Sequence, residues 1–350
     1  VIRARGARSA RIRHSENELM QLTEPAALGF SEERLARIRP WMNDYVESEK
    51  LPGMQVLVAR HGQPLFFDMV GLRDVERGRP VEADTLFRIY SMTKPITSAA
   101  LLTFYEDSRF HLDDPVSRFI PALADLEVFA GGTADSYRTV PAERPMSIRD
   151  LLTHTSGLTY DFILDTPVGE LYNRNRLFHV FGRDSMESFI ERLATMPLLA
   201  QPGAEWNYSV STDVLGYLVQ VLADKPFGEV LAERIFEPLE MADTGFQVPE
   251  EKVDRFAACY TPAGPEGGLK ITDDPQSSRF TRPPVFASGG GGLVGTATDY
   301  LTFANMLLGK GEHGGRRVLG RKTVEYMMMN HLDGDMAAMG QPRFSETSYE

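Results

Sequence analysis

A long run of helix-type sequence between two strand-type regions constrains the fold of this chain more than any other feature. From Lys94 to about residue 240 the apolar residues recur mostly at helical spacing, with a long polar loop predicted near 122–146. Before this run, MQVLVARHGQPLFF predicts two apolar strands joined by a turn at His61-Gly62. We therefore expect an α/β lobe with a large helical insertion, to which the chain returns near residue 286.

Shorter predicted elements lie before and after the hairpin and the helical run. Residues 31–49 predict an amphipathic helix with Ser31 as its N-cap, which Pro40 should kink or split. Residues 253–285 are rich in Gly and Pro and contain short strand-like pieces. A further helix, capped by Thr296 or Thr298, follows a glycine-rich turn.

Charge and cysteine content narrow the class of protein. A net charge of -12 and a pI near 5.2 argue against nucleic acid or an anionic membrane as the main partner. The single cysteine, Cys259, excludes an internal disulfide, and the apolar runs are shorter than the ~20 residues that span a bilayer. The first twenty residues carry five Arg and no apolar segment, so we expect a disordered basic tail at 1–24 and a cytoplasmic protein.

The stretch FRIYSMTKPITSAALL contains the first candidate for chemistry. It puts Ser91 and Lys94 three residues apart, on one face of the predicted helix. The positive end of the helix dipole would favour a developing alkoxide on Ser91, and a desolvated Lys94 could take or hold its proton. A serine cap followed by a solvated lysine would give the same four residues, so this pattern alone does not establish a nucleophile.

Two further segments favour the nucleophile. RDLLTHTSGL covers 149–158, and WNYSVSTDVLGYLV covers 206–219, with Tyr208 just before a predicted helix. With these segments and the glycine-rich segment at 289–295, the chain resembles the penicillin-recognising serine hydrolases over about residues 25–345. That superfamily includes class C-type β-lactamases, D-alanyl-D-alanine carboxypeptidases and family VIII carboxylesterases, and the last of these are the most similar.

The resemblance implies a β-lactamase or penicillin-binding-transpeptidase type of fold. This is an antiparallel sheet flanked by helices, with a large, mainly helical domain inserted. In this chain the α/β domain would comprise 25–88 and 286–350, the helical domain would comprise 89–285, and the active site would lie between them.

The resemblance also assigns roles to individual residues. Ser91 would attack an acyl carbonyl, Lys94 and Tyr208 would share its proton, and the same pair would activate the water that hydrolyses the acyl-enzyme. The backbone N–H of Ser91 would form half of an oxyanion hole. Which of Lys94 and Tyr208 is the resting base stays open. Tyr160 and Phe162 would line the acyl pocket or only cover the helical domain.

Two departures from the superfamily pattern bear on substrate and completeness. Lactamases carry Asn two residues after the tyrosine, where this chain has Val210. A polar substrate group left unpaired there costs roughly 1–3 kcal/mol, which favours an ester over a β-lactam.

The third motif of the superfamily is Lys-Thr-Gly, His-x-Gly or Trp-Gly-Gly, and it has no match in this chain. Lys322-Thr323 is followed by Val324 where the motif has Gly, and His313 begins a polar turn. We therefore expect the last strands and the terminal helix to be missing and the hairpin edge to promote homo-oligomers.

Other candidate sites are weaker. The glycine-rich segment at 289–295 matches a dinucleotide fingerprint, but no clear strand precedes it and no suitably placed acidic residue follows. The sequence has no metal signature, so neither a cofactor nor a metal is expected. His154 is expected to brace a turn, and Asp213 and Asp299 are most simply residues at helix starts.

The leading hypothesis is a serine carboxylesterase acting on a small-molecule ester with a small or short acyl chain. The alternatives within the superfamily are a β-lactamase or D-amino-acid peptidase and an acyltransferase. A catalytically silent homologue that serves as a scaffold or binding module is the alternative from a different class.

Overall fold

The computed structural model describes residues 20–177, 184–264 and 267–332. Within these ranges the α-helices are α1 (Glu32–Leu35), α2 (Ile38–Glu47), α3 (Thr93–Glu106), α4 (Ile148–Leu152), α5 (Pro167–Arg174), α6 (Met186–Leu193), α7 (Ser211–Ala223), α8 (Phe227–Leu231), α9 (Ala297–Leu308) and α10 (Arg321–Met327). The strands are β1 (Gly53–Arg60), β2 (Gln63–Asp74), β3 (Arg79–Pro80), β4 (Phe87–Arg88), β5 (Glu127–Thr133), β6 (Ser136–Pro141), β7 (Cys259–Pro262), β8 (Leu269–Asp273), β9 (Val294–Gly295), β10 (Glu312–His313) and β11 (Arg316–Arg317). Residues 1–19 of the tail predicted at 1–24 lie outside the described residues, and so do residues 333–350 of the predicted α/β domain.

The hairpin predicted near the start of the chain is confirmed. β1 and β2 pair antiparallel, with Arg60 opposite Gln63. His61 and Gly62, the two residues between them, have φ values of 52° and 79°, the left-handed conformation that a tight two-residue hairpin turn requires. β3 adds a third strand to β2. The predicted antiparallel pairing is therefore present, and the remaining strands form separate two-stranded ladders in the described part of the chain.

One local prediction is wrong, and another is confirmed except for its position. The polar loop predicted at 122–146 contains the hairpin β5–β6, whose strands alternate apolar and polar residues too irregularly to be recognised in sequence. The helix predicted at 31–49 is split in two as expected, but the break lies at Ala36-Arg37, before Pro40. Pro40 thus occupies the first turn of α2, where its missing N–H costs no hydrogen bond.

Helices α3 and α7 form the centre of the main core. α3 buries Ile96, Leu101 and Phe104, and α7 buries Leu215 and Leu218. Because both helices are apolar on most of their circumference, they are enclosed by the other helices of the stretch 89–285. That stretch holds α3 to α8 together with the hairpins β5–β6 and β7–β8, and its division from an α/β domain stays a prediction.

The glycine-rich segment (289–295) packs against the amino-terminal halves of α3 and α7. Thr97 of α3 donates to the carbonyl of Gly289 at 2.8 Å. A Cβ atom on Gly289 would lie 2.4 Å from the carbonyl oxygen of Thr212 and 3.2 Å from the Cα of Gly216 on α7. Only glycine permits so close an approach of backbone to backbone. This packing brings the segment beside Tyr90 and Lys94, which lie on either side of Ser91 in sequence.

The described helices give no candidate for a membrane span, since none combines sufficient length with sufficient apolar character.

Candidate active site

Ser91 lies in a short turn that leads directly into α3. A 3-10 turn covers Tyr90–Met92, and α3 begins at Thr93. The prediction of a serine at a helix start is thus confirmed, although Ser91 belongs to the turn and not to α3 itself. Its side chain is exposed, close to the positive end of the helix dipole. Tyr90 has a φ of 41°, a left-handed conformation that is uncommon outside glycine and is concentrated at functional sites.

Lys94 lies in the first turn of α3 and directs its ammonium at Ser91. Its Nζ donates to Ser91 Oγ at 3.2 Å and to the carbonyl oxygen of Gly290 at 2.8 Å. The same Nζ lies 5.5 Å from the ring centre of Tyr160 and 4.6 Å from that of Tyr208, within the distance for cation–π attraction. Hydrogen-bond acceptors and aromatic rings therefore fix the ammonium in one position.

Tyr208 reaches Ser91 from the segment that leads into α7. Its Oη lies 2.6 Å from Ser91 Oγ, a hydrogen bond in which either oxygen can donate. It stands three residues before α7 begins. Its ring packs among the rings of Tyr160, His154 and Trp206, at centre-to-centre distances of 5.2, 5.3 and 6.4 Å. These neighbours hold the phenol in place, so its hydroxyl is aimed at Ser91.

A chain of buried hydroxyl groups joins His154 to the core. His154 Nδ1 lies 3.1 Å from Ser209 Oγ, and Ser211 Oγ lies 2.7 Å from the hydroxyl oxygens of both Ser209 and Ser156. Burial, helped by the positive charge of Lys94, lowers the pKa of His154 to about 3, so the imidazole is neutral at neutral pH. A neutral ring tied to this chain suits the bracing role predicted for His154.

The residues predicted to contact substrate have different environments. Tyr160 is buried, and burial raises the pKa of its phenol well above the ordinary value. Its ring stacks on Phe162 at 4.6 Å, and Phe162 is 48% exposed. The side chain of Val210 is completely buried in the main core. Tyr160 thus lies beside Lys94 and Tyr208, Phe162 packs on the ring of Tyr160, and Val210 packs inward.

Sequence reasoning missed two groups beside Lys94. One is the carbonyl of Gly290, which accepts from the ammonium. The other is the carboxyl of Asp213, for which the sequence indicates only a helix start. Its Oδ1 accepts from Ser288 Oγ at 2.5 Å and from the N–H of Gly290 at 3.1 Å. The glycine-rich segment was marked as a superfamily landmark, but no sequence pattern reveals where one of its carbonyls points.

The arrangement has the components of an activated nucleophile. One exposed hydroxyl lies within hydrogen-bond distance of a phenol and an ammonium, at the amino end of a helix. Such a group can attack an electrophilic carbon while its proton passes to a neighbour. Among the described residues no cluster of three or more His, Cys, Asp or Glu side chains is suited to hold a metal ion.

Known proteins that resemble the chain include enzymes of acyl chemistry. The sequence model of the family described as Beta-lactamase matches residues 38–342. Protein Rv1367c of Mycobacterium tuberculosis is 38% identical over 282 residues, which is 81% of this chain and 68% of that protein. Esterase EstB of Burkholderia gladioli is 34% identical over 296 residues, 79% of this chain and 71% of that protein. The solved structure described as EstCE1, a hydrolase with promiscuous acyltransferase activity, has a TM-score of 0.71 at 29% identity, covering 83% of this chain and 75% of that one.

Proposed function

The chain belongs to the beta-lactamase family, and we propose that within this family it is a serine carboxylesterase that forms an acyl-enzyme on Ser91. The observation that carries the proposal is the position of Ser91 Oγ, 2.6 Å from Tyr208 Oη and 3.2 Å from Lys94 Nζ. A serine with two proton-handling groups at these distances is suited to nucleophilic acyl transfer.

The proposed reaction has two halves. Ser91 Oγ attacks the ester carbonyl and gives its proton to the pair formed by Tyr208 and Lys94, which for this step carries one proton fewer than a phenol and an ammonium together. The pair returns the proton to the alcohol oxygen as the carbon–oxygen bond of the ester breaks, which leaves the acyl group on Ser91. Water then attacks the acyl carbon, loses a proton to the same pair, and releases the carboxylic acid while Ser91 regains its proton.

The surroundings of Ser91 favour an ester with an apolar acyl group. Tyr90 and Met92, which flank Ser91 in sequence, are each 48% exposed, as is Phe162, which stacks on Tyr160 beside Lys94. Exposed apolar side chains around a reactive group supply contact area for an apolar substrate. The 34% identity to a protein named as an esterase supports an ester as the substrate.

Covalent labelling of Ser91 tests the proposal. A fluorophosphonate should add once to the intact protein, on the peptide that contains Ser91, and the protein should hydrolyse p-nitrophenyl butyrate. Ser91→Ala should abolish labelling and lower turnover by at least ~10³-fold, the scale of losing a covalent step. Ser98→Ala, a serine on α3 itself, is the matched control and should keep both properties.

Several outcomes would contradict the proposal. An adduct on Ser156 or Ser209 would move the nucleophile. Absence of both labelling and turnover would favour a catalytically silent binding module. Faster hydrolysis of a chromogenic cephalosporin than of the butyrate ester would favour a β-lactamase.

Acyl transfer to an alcohol is the second candidate. The exposed position of Ser91 leaves room for an alcohol to replace water in the second half of the reaction. The similar structure whose description names promiscuous acyltransferase activity supports this candidate. Incubation with vinyl butyrate and a small alcohol, followed by chromatography of the products, separates the two activities.

A further inference from the structure

We propose that Asp213 is a positioning residue, which fixes Gly290 so that the Gly290 carbonyl holds the Lys94 ammonium against Ser91. The proposal rests on the proposed function, since it concerns the activation of Ser91. It assigns to Asp213 more than the role at a helix start that its sequence position indicates.

Three consecutive contacts make up the Asp213–Gly290–Lys94 bridge. Asp213 Oδ1 accepts from the N–H of Gly290 at 3.1 Å. The carbonyl oxygen of Gly290 accepts from Lys94 Nζ at 2.8 Å, and Nζ donates to Ser91 Oγ at 3.2 Å. A second bond to Asp213 Oδ1, from Ser288 Oγ at 2.5 Å, fixes the chain just before Gly290. The carboxyl therefore determines where the acceptor for Lys94 lies.

The burial of Asp213 is more than a helix start requires. Its side chain is completely buried, and Oδ2 has no hydrogen-bond partner in the described part of the chain. A buried carboxyl with an unpaired oxygen costs free energy, so its retention calls for a compensating role. The charged and titratable groups that face it are Lys94 on α3 and Tyr160 in the loop after α4.

Asp299 provides an internal comparison. Asp213 is the third residue of α7, and Asp299 is the third residue of α9. Asp299 accepts from the N–H of Asp243 and the hydroxyl of Thr244 at 2.9 and 2.8 Å. The two carboxyls thus share a helix position, but only Asp213 connects to the contacts of Ser91.

The space around Gly290 offers a second way to disturb the bridge. A Cβ atom on Gly290 would lie 2.5 Å from Asp213 Oδ2 and 3.0 Å from Tyr160 Oη. Gly290→Ala therefore has to displace the Asp213 carboxyl or the backbone at position 290, although it leaves the side chains of Ser91, Lys94 and Tyr208 chemically unchanged.

The test uses the intact protein and measures kcat and KM for p-nitrophenyl butyrate, the rate of fluorophosphonate labelling and the melting temperature. Asp213→Ala should lower kcat and the labelling rate by about 10²-fold, the effect of a small misplacement of catalytic groups. KM should stay within a few-fold, because Asp213 does not touch the substrate. Asp213→Asn retains an acceptor oxygen and should recover part of the loss, although it melts at the same or a higher temperature at pH 7. Gly290→Ala should reproduce the kcat loss, and Asp299→Asn should leave kcat unchanged.

The outcomes separate this inference from the proposed function. Wild-type protein that is neither labelled nor active contradicts the proposed function and with it the inference. Labelled wild-type protein together with a folded Asp213→Ala variant of kcat within about twofold of wild type overturns the inference alone. If Asp213→Ala does not fold, Asp213→Asn and Gly290→Ala decide, and unchanged kcat in both variants overturns it.

Discussion

Lys94 and Tyr208 contact the same oxygen atom, and this geometry determines how their substitutions combine. Both side chains lie within hydrogen-bond distance of Ser91 Oγ. Lys94→Ala and Tyr208→Phe should each lower kcat/KM for p-nitrophenyl butyrate by about 10²–10⁴-fold, the range for positioned acid–base groups. Because the two groups handle one proton together, the double variant should be little worse than the poorer single variant. If the double variant loses kcat/KM by the product of the two single losses, Lys94 and Tyr208 serve separate steps.

At the residue scale, the titration of His154 makes the free energy of unfolding depend on pH. Burial lowers the pKa of its imidazole from 6.5 to about 3, so between these values the unfolded chain binds a proton that the folded chain does not. The contribution of His154 to stability is therefore fully present above pH 6.5 and is lost as the pH falls, at most about 1.4 kcal/mol per pH unit. Urea unfolding at pH 7, 6 and 5 should give a smaller decrease for His154→Gln than for wild type. Parallel curves for the two proteins would contradict the assignment.

The buried side chain of Val210 leads to a third prediction at the residue scale. Its side chain is completely buried in the core, so an amide placed there loses its water contacts. Val210→Asn should lower the free energy of unfolding by about 1–3 kcal/mol, the cost of an unsatisfied buried polar group. Cephalosporin hydrolysis should change little relative to ester hydrolysis, because an amide at this inward-packed position offers no hydrogen bond to a substrate on Ser91. A large gain in cephalosporin hydrolysis without loss of stability would show that the amide reaches the substrate.

At the scale of elements, features with a local cause were predictable. The hairpin β1–β2 follows from apolar runs around His61-Gly62, and the turn into α3 follows from Ser91, Lys94 and Pro95 within five positions. Local spacing fixes such features, because neighbours in sequence share one turn or one face.

Features made by distant residues were not predictable. The Gly290 carbonyl that meets Lys94 and the carboxyl of Asp213 depend on contacts across 196 and 77 positions. The hairpin β5–β6 escapes prediction for a different reason, because the apolar and polar residues of its strands alternate too irregularly. Residue types and their spacing predict Ser91, Lys94 and Tyr208 as the reacting groups. The backbone groups that contact them are located only by the packing of the folded chain.

The close approach of α7 and the glycine-rich segment gives a prediction for these two elements. A Cβ atom on Gly289 would lie 2.4 Å from the backbone carbonyl oxygen of Thr212 in α7. Gly289→Ala should lower stability by about 1–3 kcal/mol, as overpacking does, and should also lower kcat because Gly290 moves with it. Gly245→Ala is the matched control, since its nearest neighbour would be 3.8 Å away. Equal melting temperatures for the two variants would show that the segment has more freedom than the contacts indicate.

At the scale of the whole molecule, one sheet edge affects association. β1 is the outer strand of the sheet β1–β2–β3, and in the described part of the chain it pairs on one side only. Its free N–H and C=O groups can pair with another chain. The 350-residue polypeptide should therefore elute in size-exclusion chromatography above the 39.1 kDa of a monomer. Val56→Lys should shift it toward the monomer, whereas Gln276→Lys, on an exposed loop, should not; a monomeric wild type would contradict the prediction.

The exposure of Ser91 would affect which product forms from an acyl group bound to it. The nucleophile is exposed and its neighbours Tyr90 and Met92 are about half exposed, so an acyl group on Ser91 would meet bulk solvent directly. Water and any dissolved alcohol would then compete for the same carbonyl in proportion to their activities in the medium. The ratio of acid to new ester would be a property of the solvent mixture as much as of the protein, and drying the medium would redirect the chemistry without any change in sequence.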